Sequence, residues 1–130
     1  MKTELMYLIW VTALTGVIWI PYVWDRVRLG GLVSAVGYPP QPGPLSAWAR
    51  RMKAAHANAI ENLVLFAVLV LSANAMGVSN ATTELACQVY FWARLIHLLS
   101  YTFAVPWVRT AAFVAAFGAQ AALVYQLLSH

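Results

Sequence analysis

The chain has 130 residues, 62% of them hydrophobic and 9% charged, with a mean hydropathy of +0.71. That is too apolar for an ordinary water-soluble domain and too short for several domains. The net charge of +4 is not spread over a solvated face, so no nucleic-acid partner is expected, and the lone Cys87 excludes an internal disulfide and reads as a small buried residue.

A bilayer core about 30 Å thick requires about 20 apolar residues per helix, and four stretches meet that length, at about 4–24, 55–76, 83–105 and 107–128. The expected fold is an all-α membrane protein, one four-transmembrane-helix bundle over residues 1–130. The first stretch reads as a retained span, because its apolar run exceeds a leader's core and ends in "IPYVWDRVRLGG" with no small-x-small cleavage site. Trp10, Trp19, Tyr22 and Trp24 suit interfacial positions, and Pro21 is expected to kink the helix.

The first connection, a loop at about 29–45 by its turn residues, is flanked by Arg26, Arg28, Arg50, Arg51 and Lys53 against one acid, Asp25. Between the second and third stretches, "MGVSNATTE" has no Lys or Arg. Positive charge stays on the cytoplasmic side, so this first connection and Arg109 are expected there and both termini on the opposite side. "GYPPQPGP" holds four prolines in eight residues and cannot be helical. The next helix then starts near Leu45 or Ser46, with Ser46 as N-cap. "VSNAT" reads as an external turn whose Asn80-Ala81-Thr82 sequon matters only in a glycosylating compartment.

An ionisable group inside a span faces the protein interior and has a partner. Glu61 and Arg94 both lie about 15 Å deep at about 1.5 Å rise per residue. Antiparallel neighbours at equal depth share one index sum, and Glu61 with Arg94 gives the same sum as Asn58 with His97. Glu61 is therefore expected to meet Arg94, with Asn58 level with His97 and the partner helix in the same or another subunit. Tyr90, Arg94, His97 and Tyr101 share one helix face, and Arg51, Asn58, Glu61, Asn62 and Leu65 share another. His56 points away from Asn58. The bland readings are a structural Glu61–Arg94 pair, a hydrogen-bonded His97 and packing tyrosines.

No paired i, i+4 ligands suggest a metal, no Ser-His-Asp set exists, and no glycine-rich phosphate loop is present. What remains is a cationic, hydrogen-bonding cavity open to the cytoplasm. It is expected to be ringed by Arg28, Arg51, Arg94 and Arg109 together with Asn58, Glu61, His97 and Tyr101. Such a cavity suits a small polyanion that also carries an ammonium group, with Glu61 for the ammonium and the arginines for the carboxylates.

Two stretches carry a family likeness. "AHANAIENLVLFA" resembles the A-H-x-N-x-x-E-N/T signature of the MAPEG family, the membrane-associated proteins in eicosanoid and glutathione metabolism. "RLIHLLSYTFAVPWVRT" resembles that family's R-x-x-H-x-x-x-Y followed by P-x-x-R-T/S. The resemblance, nearest to the family's bacterial branch, implies a multi-pass protein of a bacterial inner membrane. It further implies a homotrimer binding glutathione between subunits, and a transferase or peroxidase acting on lipophilic small molecules or lipids. Carried over position by position, Asn58, Glu61, Arg94, His97 and Tyr101 match glutathione ligands, with Arg28 and Arg51 beside them. Arg109 matches the arginine near the thiol, and Thr110 or Tyr101 a hydroxyl that assists it.

One departure stands out. The family's eukaryotic prostaglandin and leukotriene synthases carry an arginine in the place of Ala54, and the prostaglandin synthases another in the place of Ala57; each lost charge-assisted bond costs about 1.5–3 kcal/mol. A non-catalytic membrane binding or assembly protein on the same scaffold is thus the alternative. A small four-helix drug transporter is a more distant one, since those carry a deep glutamate in the first helix whereas Glu4 here stands at its start.

Overall fold

The computed structural model describes residues 2–39, 41 and 43–130. Among them it contains helices and no strands: α1 (Thr3–Val17), α2 (Trp19–Gly30), α3 (Leu32–Val36), α4 (Ala47–Met76), α5 (Ala81–Thr102) and α6 (Pro106–Leu128). Pro40 and Pro42, two of the four prolines expected to hold the first connection out of helix, lie outside the described residues. The described remainder of 37–44 is non-helical. The connection is not all loop, however. Gly31 at φ 86° breaks the chain after α2, and the next five residues, free of Gly and Pro, close one short helix, α3.

α1 and α2 are separated only at Ile18, which keeps helical angles. The cause is Pro21, which has no N–H to offer the carbonyl of Val17. The 28 residues from Thr3 to Gly30 therefore form one nearly continuous helical stretch, about 42 Å of helix at about 1.5 Å per residue, interrupted at Ile18. Three stretches are long and apolar enough to cross a membrane: Thr3–Gly30, Ala47–Met76 and Pro106–Leu128. α5 dilutes its apolar residues with Glu84, Gln88, Arg94 and His97. It can do so because it is the central helix, packed against α1, α4 and α6.

The α5–α6 seam is the most extensive, and small residues line it: Ala86 and Ala93 on α5, with Ala112, Ala116 and Ala119 on α6, are all buried. In lipid, where no hydrophobic drive separates helix from solvent, such residues let backbones approach and gain van der Waals contact. Phe66 of α4 stacks on Tyr90 of α5 with ring centroids 3.8 Å apart. Leu8, Val11, Val70, Cys87 and Leu123 fill the space around that pair.

Polar clasps close both ends. At one end the buried Glu4 carboxylate accepts hydrogen bonds from Ser79 Oγ (2.7 Å) and Thr83 Oγ1 (2.8 Å). This fastens α1 to the α4–α5 turn, which Gly77 makes possible by taking φ 71° at the end of α4. Asn80 caps α5 through Thr82 N and Thr83 N, and its amide donates to Gln126. At the other end Asp25, fully buried, accepts from Arg28 Nη2 (2.6 Å), Ser46 N (2.7 Å) and Ser46 Oγ (2.9 Å). Ser46 stands at the N-cap position of α4 as expected, but its side chain turns to Asp25 and makes no cap hydrogen bond.

Asp25→Ala removes the acceptor for all three of those bonds. It is expected to lower stability by about 2–4 kcal/mol, because hydrogen bonds to charged groups contribute about 1.5–3 kcal/mol each and Arg28 can return to water. Thermal unfolding in detergent checks this, and an unchanged midpoint would contradict the clasp.

Candidate functional site

The polar residues of α5 converge near the end of the bundle that carries Arg51 and Arg109. Arg94 is buried to 3% exposure, and its Nη2 donates to Asn58 Oδ1 at 2.8 Å. Its Nε and Nη1 are buried without a partner. Asn62 supports Asn58, donating to its carbonyl (2.9 Å) and its Oδ1 (3.3 Å), and Gln120 of α6 donates to the Asn62 carbonyl. A chain of amides thus runs from α6 through α4 to the guanidinium on α5.

His97, also 3% exposed, lies one turn nearer that end of α5. Its ring meets Tyr101 edge-on at 5.7 Å and Phe113 at 6.2 Å, and Nδ1 is buried without a partner. Arg109 of α6 places its guanidinium carbon 4.9 Å from the centroid of the Tyr101 ring, a cation–π contact that fixes the charge over the ring face. Two clefts meet at this Tyr101–Arg109 pair. One, of about 320 Å³, is lined by Asn58, His97, Tyr101, Arg109, Thr110 and Phe113. The other, of about 270 Å³, is lined by Arg51, Ser100, Tyr101 and Arg109 with the turn residues Ala104–Pro106.

That turn is tight. Ala104 takes φ 59°, a left-handed angle that costs a residue with a Cβ about 1–2 kcal/mol. Val105 N still reaches back to the Ser100 carbonyl at 2.8 Å, and Arg51 Nε donates to the Thr102 carbonyl at 2.9 Å, so a cation from α4 completes the end of α5.

The expected Glu61–Arg94 pair is not formed within the subunit. Asn58 takes Arg94 instead, Glu61 is exposed, and among the described residues the one salt bridge is Arg28–Asp25. Asn58, expected level with His97, reaches Arg94 one turn deeper on α5, and Glu61 lies on another azimuth than expected. Three residues beyond Asn58, Glu61 is turned about 60° around α4, enough to leave the interior. Arg28 is also apart, half-exposed at 52% and tied to Asp25, and it lines neither cleft. Thr110, which lines the larger of the two clefts, donates its Oγ1 proton to the Pro106 carbonyl at 3.1 Å. Tyr90 packs on Phe66 deeper in the core. His56 Nδ1 pairs with the Tyr22 hydroxyl at 2.8 Å, joining α4 to α2.

Phe113 was missed, although its place four residues after Arg109 would have found it. Glu4 and Asp25 were missed because nothing local marks a terminal acid as buried. A larger apolar groove, of about 520 Å³ between α5 and α6, is lined by residues such as Val89, Trp92 and Ile96, with Gln88 as its one polar side chain; it offers no chemistry. Among the described residues, no three His, Cys, Asp or Glu side chains converge on a possible metal.

Asn58→Ala is expected to destabilise the fold by about 2–4 kcal/mol, because it strips a buried guanidinium of its side-chain partner. Arg94→Met removes the charge while keeping the bulk, and should cost less. Thermal unfolding of both variants in detergent compares them; a larger loss in Arg94→Met would contradict this reading of the pair.

The MAPEG family model matches residues 6–129, nearly the whole chain. The chain therefore belongs to the MAPEG family and is an integral membrane protein of helical-bundle type. Comparison with curated proteins and with solved structures found no match.

Proposed function

Starting from membership of the MAPEG family, we propose that this protein is a glutathione-dependent transferase or peroxidase acting on lipophilic electrophiles that reach it from the bilayer. The observation that carries this reading is Arg109, held over Tyr101 where two clefts meet. Glutathione, when bound, supplies the thiol that becomes the nucleophile. A fixed cation beside that thiol favours the thiolate, as it does for cysteine. The Tyr101 hydroxyl is free to donate a hydrogen bond to the sulfur. Thr110, whose proton goes to Pro106, must first release that bond to do the same.

The donor set fits a peptide with carboxylates. His97 Nδ1 and two nitrogens of Arg94 are buried without partners, and Arg51 and Arg109 line the adjoining cleft. Each such group left unmet costs about 1–3 kcal/mol, so an anion that reached them would be held well. Asn58 forms part of the wall and is held in place by Arg94 and Asn62. Glu61, outward-facing on α4, suits the ammonium of a ligand held between two copies of the chain, and Arg28 suits a carboxylate from the same side. This favours a homotrimer with its sites between subunits, and the cleft end on the cytoplasmic face.

The alternative, a non-catalytic membrane binding or assembly protein, is favoured by Ala54 and Ala57. Both readings are separated by following thiolate absorbance in the ultraviolet as glutathione is added to the purified protein at neutral pH. The enzyme reading predicts a saturable signal that Arg109→Gln abolishes, with a turnover loss of about 10²–10³-fold, the usual effect of removing one charge-stabilising donor. No signal, with none gained in Ala54→Arg, would leave the non-catalytic alternative.

A further inference from the structure

Among the buried residues of α6, Gln120 stands beside Ala112, Ala116, Ala119 and Leu123 and is the one polar side chain. It lines neither cleft of the Arg109 site. An amide inside a span is costly to keep, and close packing alone asks for a small apolar residue. What it does instead is bond across helices: Nε2 donates to the Asn62 carbonyl at 3.2 Å. Among the described residues this is the one hydrogen bond between α4 and α6. The other side-chain bond that reaches α6 from outside it, Asn80 to Gln126, is exposed and at the far end. Along the inward face the remaining contacts are alkyl groups, which attract without direction. A hydrogen bond weakens steeply as its angle closes, so the Gln120 amide resists rotation of α6 where the alanines do not.

Arg109, Phe113, Ala116 and Gln120 fall at i, i+4, i+7 and i+11, one face of α6. Arg109 and Gln120 therefore share an azimuth, about three turns and about 16 Å apart. What sets the rotation of α6 at Gln120 also sets where Arg109 points. Side chains reach about 5–6 Å from a helix axis, so a rotation of about 20° carries one about 2 Å sideways. A misplacement of about 1 Å at a reacting group can cost about 10²-fold in rate. The same bond ends on the residue that braces Arg94. Asn62 donates to the Asn58 carbonyl and Oδ1 (2.9 and 3.3 Å), and that Oδ1 also accepts from Arg94 Nη2 (2.8 Å). One amide thus registers two guanidinia, Arg94 through α4 and Arg109 along α6.

We propose that Gln120 is a positioning residue of the Arg109 site: its bond to the Asn62 carbonyl pins α6 against α4 and holds Arg109 over Tyr101, where the two clefts meet. Gln120 itself touches no ligand. The proposal rests on the glutathione reading for what Arg109 does to a thiol, whereas the pin is a property of the helices alone.

The test uses Gln120→Met, which keeps the length of the side chain and removes its donor; Gln120→Leu is a second donor-free variant with the same expectations. The fold should hold in both, because the Asn62 carbonyl keeps its bond within α4. The first readout needs no ligand: labelling of arginines by phenylglyoxal, followed residue by residue by mass spectrometry, with the exposed Arg50 as internal reference. Arg109 should label several-fold faster in the variants, as its guanidinium leaves the Tyr101 ring. The second readout titrates glutathione thiolate absorbance against pH. Its midpoint should rise by about one pH unit in the variants, a tenfold loss of thiolate at neutral pH, with the thermal midpoint held. Equal labelling of Arg109 in wild type and variants would overturn the proposal. So would an unchanged thiolate midpoint beside a lowered thermal midpoint, which would make Gln120 structural. A wild type that gives no thiolate signal would end the glutathione reading, and the labelling rates would then decide the pin by themselves.

Discussion

A guanidinium deep in a membrane span cannot be left to hydrocarbon, and the bundle is arranged around that constraint. Arg94 is carried by the one long helix that fails to be apolar on its own, and the other helices exist around α5 in the order that hides it. Its neighbours are amides, not acids. Asn58 and Asn62 are neutral and can orient the guanidinium without cancelling its charge. A cation held this way keeps its field and two of its donors, which is what a site for an anionic ligand requires and what a sealed ion pair would remove.

The two ends of the bundle solve the same closure problem with opposite chemistry. At the Glu4 end a carboxylate gathers hydroxyls from the α4–α5 turn, and the turn itself is relaxed by Gly77 and a capped α5. At the Arg109 end the α5–α6 turn passes through a left-handed alanine, and cations from α4 and α6 gather around the last turn of α5. Order thus marks one end, and backbone strain with positive charge marks the other.

Much of this was legible in the sequence, and the failures have a pattern. Hydropathy marks the helices, and antiparallel index sums set Asn58 level with His97 and Glu61 level with Arg94, whereas Asn58 bonds to Arg94. Depth says nothing of azimuth, and the 60° between Asn58 and Glu61 on a helix was enough to move the acid from the core to the surface. Pro21 announced the break at Ile18 through a missing N–H. Asp25 to Ser46 and Glu4 to Thr83 were invisible, because hydrogen bonds between residues far apart in sequence leave no periodic trace. The connection held a helix for the simple reason that five residues between Gly31 and Gly37 contain nothing to prevent it.

Whether the charge kept on Arg94 serves a ligand is settled most directly by isothermal titration of glutathione into the detergent-solubilised protein, run beside Arg94→Met. A cleft backed by that guanidinium predicts saturable heat in the wild type and none, or a far weaker isotherm, in the variant. Indistinguishable isotherms, or no heat from the wild type, would mean that the buried cation shapes the bundle and binds nothing.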